Sequence, residues 1–186
     1  YFRRGITLRD VGQQQGAFVN RHSGYLYRMQ ERLAEIYTDG SCHTQHKIGT
    51  WVAIVFTGTN KTILSGTVKV TTHNRMELMA VLKAVEYIKI HLVNITTIKV
   101  YTDSQYVAGL PVRKEKLAIA DSSSGKGNAL QNADLVKTFF ETISKLSIEF
   151  IKIKAHQKST DIVNYNREAD MLSRKLLRTA VEEIGI

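Results

Sequence analysis

Two short stretches of the chain echo each other: Ile36-Tyr37-Thr38-Asp39-Gly40-Ser41 and Val100-Tyr101-Thr102-Asp103-Ser104-Gln105. In each, an apolar strand-like run arrives at an aspartate. Ligands of α/β sheets bind beyond the carboxyl ends of strands, so two neighbouring strands of this kind project both carboxylates into one crevice. Two more acids stand near the starts of helical patterns, Glu77 in Asn74-Arg75-Met76-Glu77 and Asp170 in Asn166-Arg167-Glu168-Ala169-Asp170. Singly, each has an ordinary reading. Asp39 before Gly40 is a turn residue, Asp103 an N-cap, Glu77 the far half of an Asn-x-x-Glu capping box, and Asp170 a solvated helix residue. Together they are four carboxylates from two strand ends and two helix starts, which repel one another unless cations neutralise them. A two-cation site is the economical explanation, and oxygen-only ligands favour Mg2+ or Mn2+ over zinc. The single cysteine, Cys42, excludes an intrachain disulfide framework and a multi-cysteine zinc site. No His–Asn pattern near it points to a thiol protease.

These acids need a scaffold. Residues 34–38 read as a short strand ending at Asp39-Gly40-Ser41. Residues 50–57, rich in β-branched and aromatic side chains, predict a second strand, 58–61 a turn, and 62–70 the returning strand of a hairpin. Met79, Leu82, Val85 and Ile88 recur at helical spacing within 74–91. Residues 98–102 form another strand and 104–108 a short helix closed by Gly109, with Pro111, the only proline, between helical pieces. Residues 121–128 are a loop, Asn132 N-caps a helix to about residue 145, 148–154 alternates as a strand, and 165–183 is a last helix. The order βββ-α-β-α-α-β-α argues an α/β fold, a mixed sheet with helices packed on it.

The 186 residues match one domain plus an appendage. No apolar run approaches the roughly 20 residues that span a bilayer, so no membrane helix is expected. Lys plus Arg number 26 against 17 Asp plus Glu, a formal net charge of +9, which points to a polyanionic partner such as nucleic acid. Arginine use is uneven: Arg3, Arg4, Arg9, Arg21, Arg28 and Arg32 all fall within the first 36 residues, where there is no lysine. Residues 1–33 therefore read as an Arg-rich extension of unassigned role and 34–186 as the folded domain. The extension lacks the pattern of a secretory signal. With one cysteine, a reducing, cytoplasmic location is expected, a mitochondrial or polyprotein origin staying open.

The stretch Thr71-Thr72-His73-Asn74-Arg75-Met76-Glu77-Leu78-Met79-Ala80 resembles the helix-start signature of the ribonuclease H family, type-one bacterial-like class. Tyr37-Thr38-Asp39-Gly40-Ser41-Cys42 is similar to the family's first strand end, and Tyr101-Thr102-Asp103-Ser104-Gln105-Tyr106-Val107 to its fourth. Lys154-Ala155-His156 and Asn166-Arg167-Glu168-Ala169-Asp170 resemble its histidine loop and last aspartate. The likeness runs from about residue 36 to 175, with every motif in the family's order.

This resemblance implies a five-stranded mixed sheet with helices on both faces. It also implies a monomeric endonuclease that cuts the RNA strand of RNA–DNA hybrids with two divalent metals, Mg2+ or in its place Mn2+, leaving 5′-phosphate and 3′-hydroxyl ends. Carried over by position, Asp39, Glu77, Asp103 and Asp170 match the metal-binding carboxylates. His156 matches a loop histidine that moves a proton or helps product and metal leave. Gly40, Ser41, Cys42, Asn74 and Gln105 match positions that touch the hybrid in its minor groove, where contacts to 2′-hydroxyls tell RNA from DNA. Three departures stand out. Residues 42–49 are polar and lack proline, and His43 and His46 there invite a metal reading without a third ligand. His73 stands where the pattern usually has Asn. The basic protrusion keeps Arg113, Lys114, Lys116 and Lys126 but not its aromatics. A ribonuclease H domain excised from a reverse transcriptase and a catalytically inactive hybrid-binding module stay open as alternatives.

Overall fold

The computed structural model describes residues 32–113, 132–144, 146–153 and 164–185. The β-branched and aromatic runs form a meander of β1 (Leu33–His43), β2 (Ile48–Thr57) and β3 (Asn60–Lys69), paired antiparallel. The turn between β2 and β3 is only Gly58 and Thr59. Gly58 has φ 57°, the left-handed geometry that hairpin turns assign to glycine. The helix α1 (His73–His91) crosses to β4 (Thr97–Thr102), which lies parallel to β1. Residues 105–113 form α2. Then come α3 (Ala133–Ile143), β5 (Ser147–Lys152) parallel to β4, and α4 (Tyr165–Glu182). The sheet order is β3-β2-β1-β4-β5, a five-stranded mixed sheet.

Strand alternation supplies two apolar faces, and helices cover both. On one, Ala34, Ile36, Ala53, Val55, Ile98 and Val100 meet Leu78, Val81, Ala84, Val85 and Ile88 of α1 and Val136 and Phe139 of α3. On the other, Val52 and Ile54 pack against Ala169 of α4, with Tyr37, Phe56 and Leu172 around them. This is the α/β architecture the sequence led us to expect. Among the described residues no helix is long and apolar enough to cross a membrane.

Several boundaries differ from expectation, each for a physical reason. Asp39-Gly40 is not a turn. β1 continues to His43 because β2 pairs with it as far as His43↔Ile48, although its pairing with β4 stops at Tyr37↔Tyr101. The helix after Asp103 does not close at Gly109. It continues through residue 113, as far as the described residues reach, with Val107 and Leu110 buried in the core, and Pro111 within it has the helical φ built in and forgoes one hydrogen bond. The capping box of Asn74 and Glu77 does not form, since the N-cap of α1 is Thr72, without a side-chain bond. Asn132 does take the N-cap position of α3, but in the left-handed region (φ 62°), and its amide donates to Tyr106 Oη at 3.2 Å instead of capping the helix. β5 spans Ser147–Lys152, two residues short of the expected end. The expected loop at 121–128, most of the Arg-rich extension, and Lys114, Lys116 and Lys126 lie outside the described residues.

One contact sets how closely α1 lies on β1. A Cβ on Gly40 would stand 2.4 Å from the backbone nitrogen of Glu77 and 2.7 Å from the carbonyl carbon of Met76. Backbone atoms cannot rotate aside as a side-chain end can. We therefore expect Gly40→Ala to destabilise the fold by about 3 kcal/mol, measured by denaturant unfolding. A loss below the error of that measurement contradicts the close packing.

Candidate active site

The repeated sequence motif turns out to be a register. β1 and β4 pair at Ile36↔Val100 and Tyr37↔Tyr101, and Asp39 and Asp103 each stand two residues beyond that last pair. β4 has ended by then, which leaves a gap beside β1. Into this gap α1 brings Glu77 from one face, at the distance allowed by Gly40. From the other face α4 brings Asp170, Ser173 and Arg174.

Donor oxygens of Asp39, Glu77 and Asp103 all lie within 4.8 Å of one another. Asp39 is 6% exposed and Glu77 3%. The fourth expected acid, Asp170, lines the same cavity of about 360 Å³. Its Oδ1, however, accepts from Arg174 Nε at 2.5 Å, and it is not one of the three clustered acids. Burial, followed by the neighbouring Glu77 charge, pushes the Asp39 carboxyl up from 3.8 to about 7, partly countered by the hydroxyl of Ser173. Burial likewise raises Glu77, while His73, its Nε2 3.2 Å from Glu77 Oε1, opposes the rise and is itself raised by that bond. Glu77 Oε2 is buried with no hydrogen-bond partner among the described residues.

Gly40, Ser41, Asn74 and Gln105 line the cavity. Gln105 Oε1 accepts from Lys152 Nζ at 2.9 Å. Cys42 is not part of the lining, and its Sγ lies 3.6 Å from the Thr71 carbonyl. His156 lies outside the described residues. His43 and His46 stack on each other at 4.5 Å, and the His46 N–H donates to His43 Nδ1 at 3.4 Å. They act as a turn contact and do not join any three-donor cluster among the described residues. Sequence reasoning missed Ser173 and Arg174. The available signal was spacing, for they stand three and four residues after Asp170 on one helix face.

Comparison with known proteins identifies the family. The RNase H family model matches residues 31–178. The chain is similar to Ribonuclease H of Bartonella quintana, 33% identical over 150 residues, covering 80% of this chain and 91% of that protein. It is equally similar to Ribonuclease H of Chlorobium phaeobacteroides, 33% identical over 153 residues, covering 81% and 98%. A Hahella chejuensis Ribonuclease H is 31% identical over 155 residues, covering 83% and 99%. The chain belongs to the RNase H family, and with that membership it is a ribonuclease H enzyme.

The crowded acids make a pH prediction. Unfolded, Asp39 loses its proton near pH 4, whereas folded and free of cations it keeps it to about 7. Between these values the folded state binds more protons, so this group makes stability fall as pH rises, by about 4 kcal/mol once past the upper value. A divalent cation among the acids compensates the buried charge and, with it, the repulsion from Glu77. Mg2+ or Mn2+ should thus raise the melting temperature clearly at pH 8 and little at pH 5, measured by calorimetry with and without chelator. Equal shifts at both pH values would contradict the burial of this charge.

Proposed function

We propose that the chain is an endonuclease that hydrolyses the RNA strand of RNA–DNA hybrids, using two divalent cations held by Asp39, Glu77, Asp103 and Asp170. The observation that carries this reading is the meeting of three carboxylates within 4.8 Å, two of them buried. Burying like charges so closely is unfavourable unless a cation compensates. The buried, unpartnered Glu77 Oε2 is the kind of atom a cation would satisfy, and the all-oxygen donor set suits Mg2+, with Mn2+ as a substitute. Such ions, when bound, lower the pKa of a water and offset charge on the attacking and leaving oxygens of an in-line displacement at phosphorus.

The protein's own groups supply orientation. Asp39 is held by the Ser173 hydroxyl and Glu77 by His73. Asp170, whose Oδ1 accepts from Arg174, lines the same cavity. Ser41, Asn74 and Gln105 bring a hydroxyl and two amides to the cavity lining, the Ser41 hydroxyl bonded inward to Ser173 and the Gln105 oxygen to Lys152. A ribose 2′-hydroxyl both donates and accepts, so a wall of this chemistry distinguishes an RNA strand from DNA. The formal charge of +9 favours a duplex partner as a whole, even though the site itself is acidic. In this reading Cys42 acts as part of the groove wall, and His156 moves a proton or assists product release. The products are a 5′-phosphate and a 3′-hydroxyl.

Asp39→Asn and Asp103→Asn each remove one charged ligand and leave the groove in place. Both should reduce hybrid cleavage by at least about a thousandfold while hybrid affinity stays within a few fold, measured by single-turnover cleavage and by filter binding. Near-normal turnover in either variant contradicts the metal assignment. Run beside the hybrid, double-stranded DNA, double-stranded RNA and single-stranded RNA should all remain intact. Equal cleavage of all-DNA duplex contradicts the roles given to Ser41, Asn74 and Gln105.

A further inference from the structure

Ser173 is fully buried where α4 meets the sheet. Its hydroxyl touches three oxygens: Asp39 Oδ2, Ser41 Oγ at 2.9 Å and the Asp170 carbonyl at 3.1 Å. A serine hydroxyl has one proton to give. The carboxylate is the best acceptor of the three, since a charged acceptor roughly doubles the strength of such a bond. With that proton committed to Asp39, Ser41 must donate to Ser173. The result is a directed chain from Ser41 through Ser173 to Asp39. Its outer member lines the cavity and its inner member belongs to the acidic cluster.

The residue type is itself informative. Serine is a poorer helix former than alanine, and a buried hydroxyl is unfavourable unless it is bonded. Here the bond goes to an acid of the cluster. The backbone of the same residue is fixed separately, its carbonyl accepting from Thr50 Oγ1 at 2.8 Å. Anchoring the helix and orienting the acid are therefore two different bonds, and they can be separated by substitution.

We propose that Ser173 is a positioning residue for the cation site. Its hydroxyl fixes the rotation of the Asp39 carboxylate, leaves the second carboxylate oxygen for the cation, and links that ligand through Ser41 to the wall that faces the nucleic acid. This rests on the reading that Asp39 holds a divalent cation.

The test uses the full chain and its Ser173→Ala and Thr50→Val variants. Mn2+ uptake is measured by calorimetry without nucleic acid, melting temperature in chelator, and kcat and KM on an RNA–DNA hybrid. Removing a group that orients a metal ligand costs about tenfold or more in metal affinity. Ser173→Ala should show that loss, with lower kcat at fixed Mn2+, KM for hybrid within twofold of the parent, and an unchanged melting temperature in chelator. Thr50→Val should melt lower yet keep its Mn2+ affinity within twofold. Unchanged Mn2+ affinity in Ser173→Ala overturns the proposal. So does an equal loss in both variants, which would make Ser173 only an anchor for α4. If the parent chain takes up no Mn2+ at all, the cation reading of Asp39 fails first, and this inference with it.

Discussion

At Gly40 the backbone of β1 and the second turn of α1 pass each other with no room for a side chain between them. This contact fixes the distance between the strand that carries Asp39 and the helix that carries Glu77. It also commits both acids to burial, because a helix lying that close excludes the water that would otherwise solvate them. The result is an Asp39 carboxyl displaced to about 7 and a Glu77 oxygen with no partner. Unfavourable polar burial of this kind persists where the surrounding packing outweighs it and function requires it. The packing here is substantial: Met76 and Leu78, on either side of Glu77, are completely buried.

The second constraint is the early end of β4. β1 keeps its antiparallel partner as far as His43 but loses its parallel one after Tyr37. An open gap results at the point where the sheet changes from antiparallel to parallel pairing. Side chains from helices on opposite faces, which a continuous sheet would keep apart, can meet there. Glu77 enters from the α1 side, while Asp170, Ser173 and Arg174 enter from the α4 side. Around the gap the bonds are short-range and directional. His73 holds Glu77, Ser173 holds Asp39 and Arg174 holds Asp170.

Charge is arranged on two scales. Locally the site concentrates acids, whereas the chain as a whole is basic. Surface pairs such as Arg75–Asp134 and Lys61–Glu168 use up some cations, though exposed pairs contribute little to stability. The Arg75–Asp134 pair is bidentate, both bonds at 2.7 Å, and it ties α1 to α3 beside the cavity. A basic chain with a local acidic cleft suits a polyanionic partner as a whole.

Much of this was legible in the sequence because it is local. The β-branched and aromatic run over 50–57 and the helical spacing over 74–91 are short-range signals, and both elements appear within two residues of where they were read. The strand–aspartate echo named Asp39 and Asp103, and the helix-start motif named Glu77. What the sequence could not carry was anything decided by a distant partner. Asp39-Gly40 looks like a turn until β2 is seen to extend the strand across it. Gly109 looks like a helix stop until Val107 and Leu110 are seen to be held in the core. Asp170 was legible as a member of the site, but not its capture by Arg174. Ser173 was invisible, because its role depends on Asp39, Ser41 and Thr50, all more than a hundred positions away. Residue types and local periods determined the elements and the chemistry available to them. Pairing register, close helix packing and the end of β4 decided which of those groups meet, since contacts between distant residues exist only once the chain has folded.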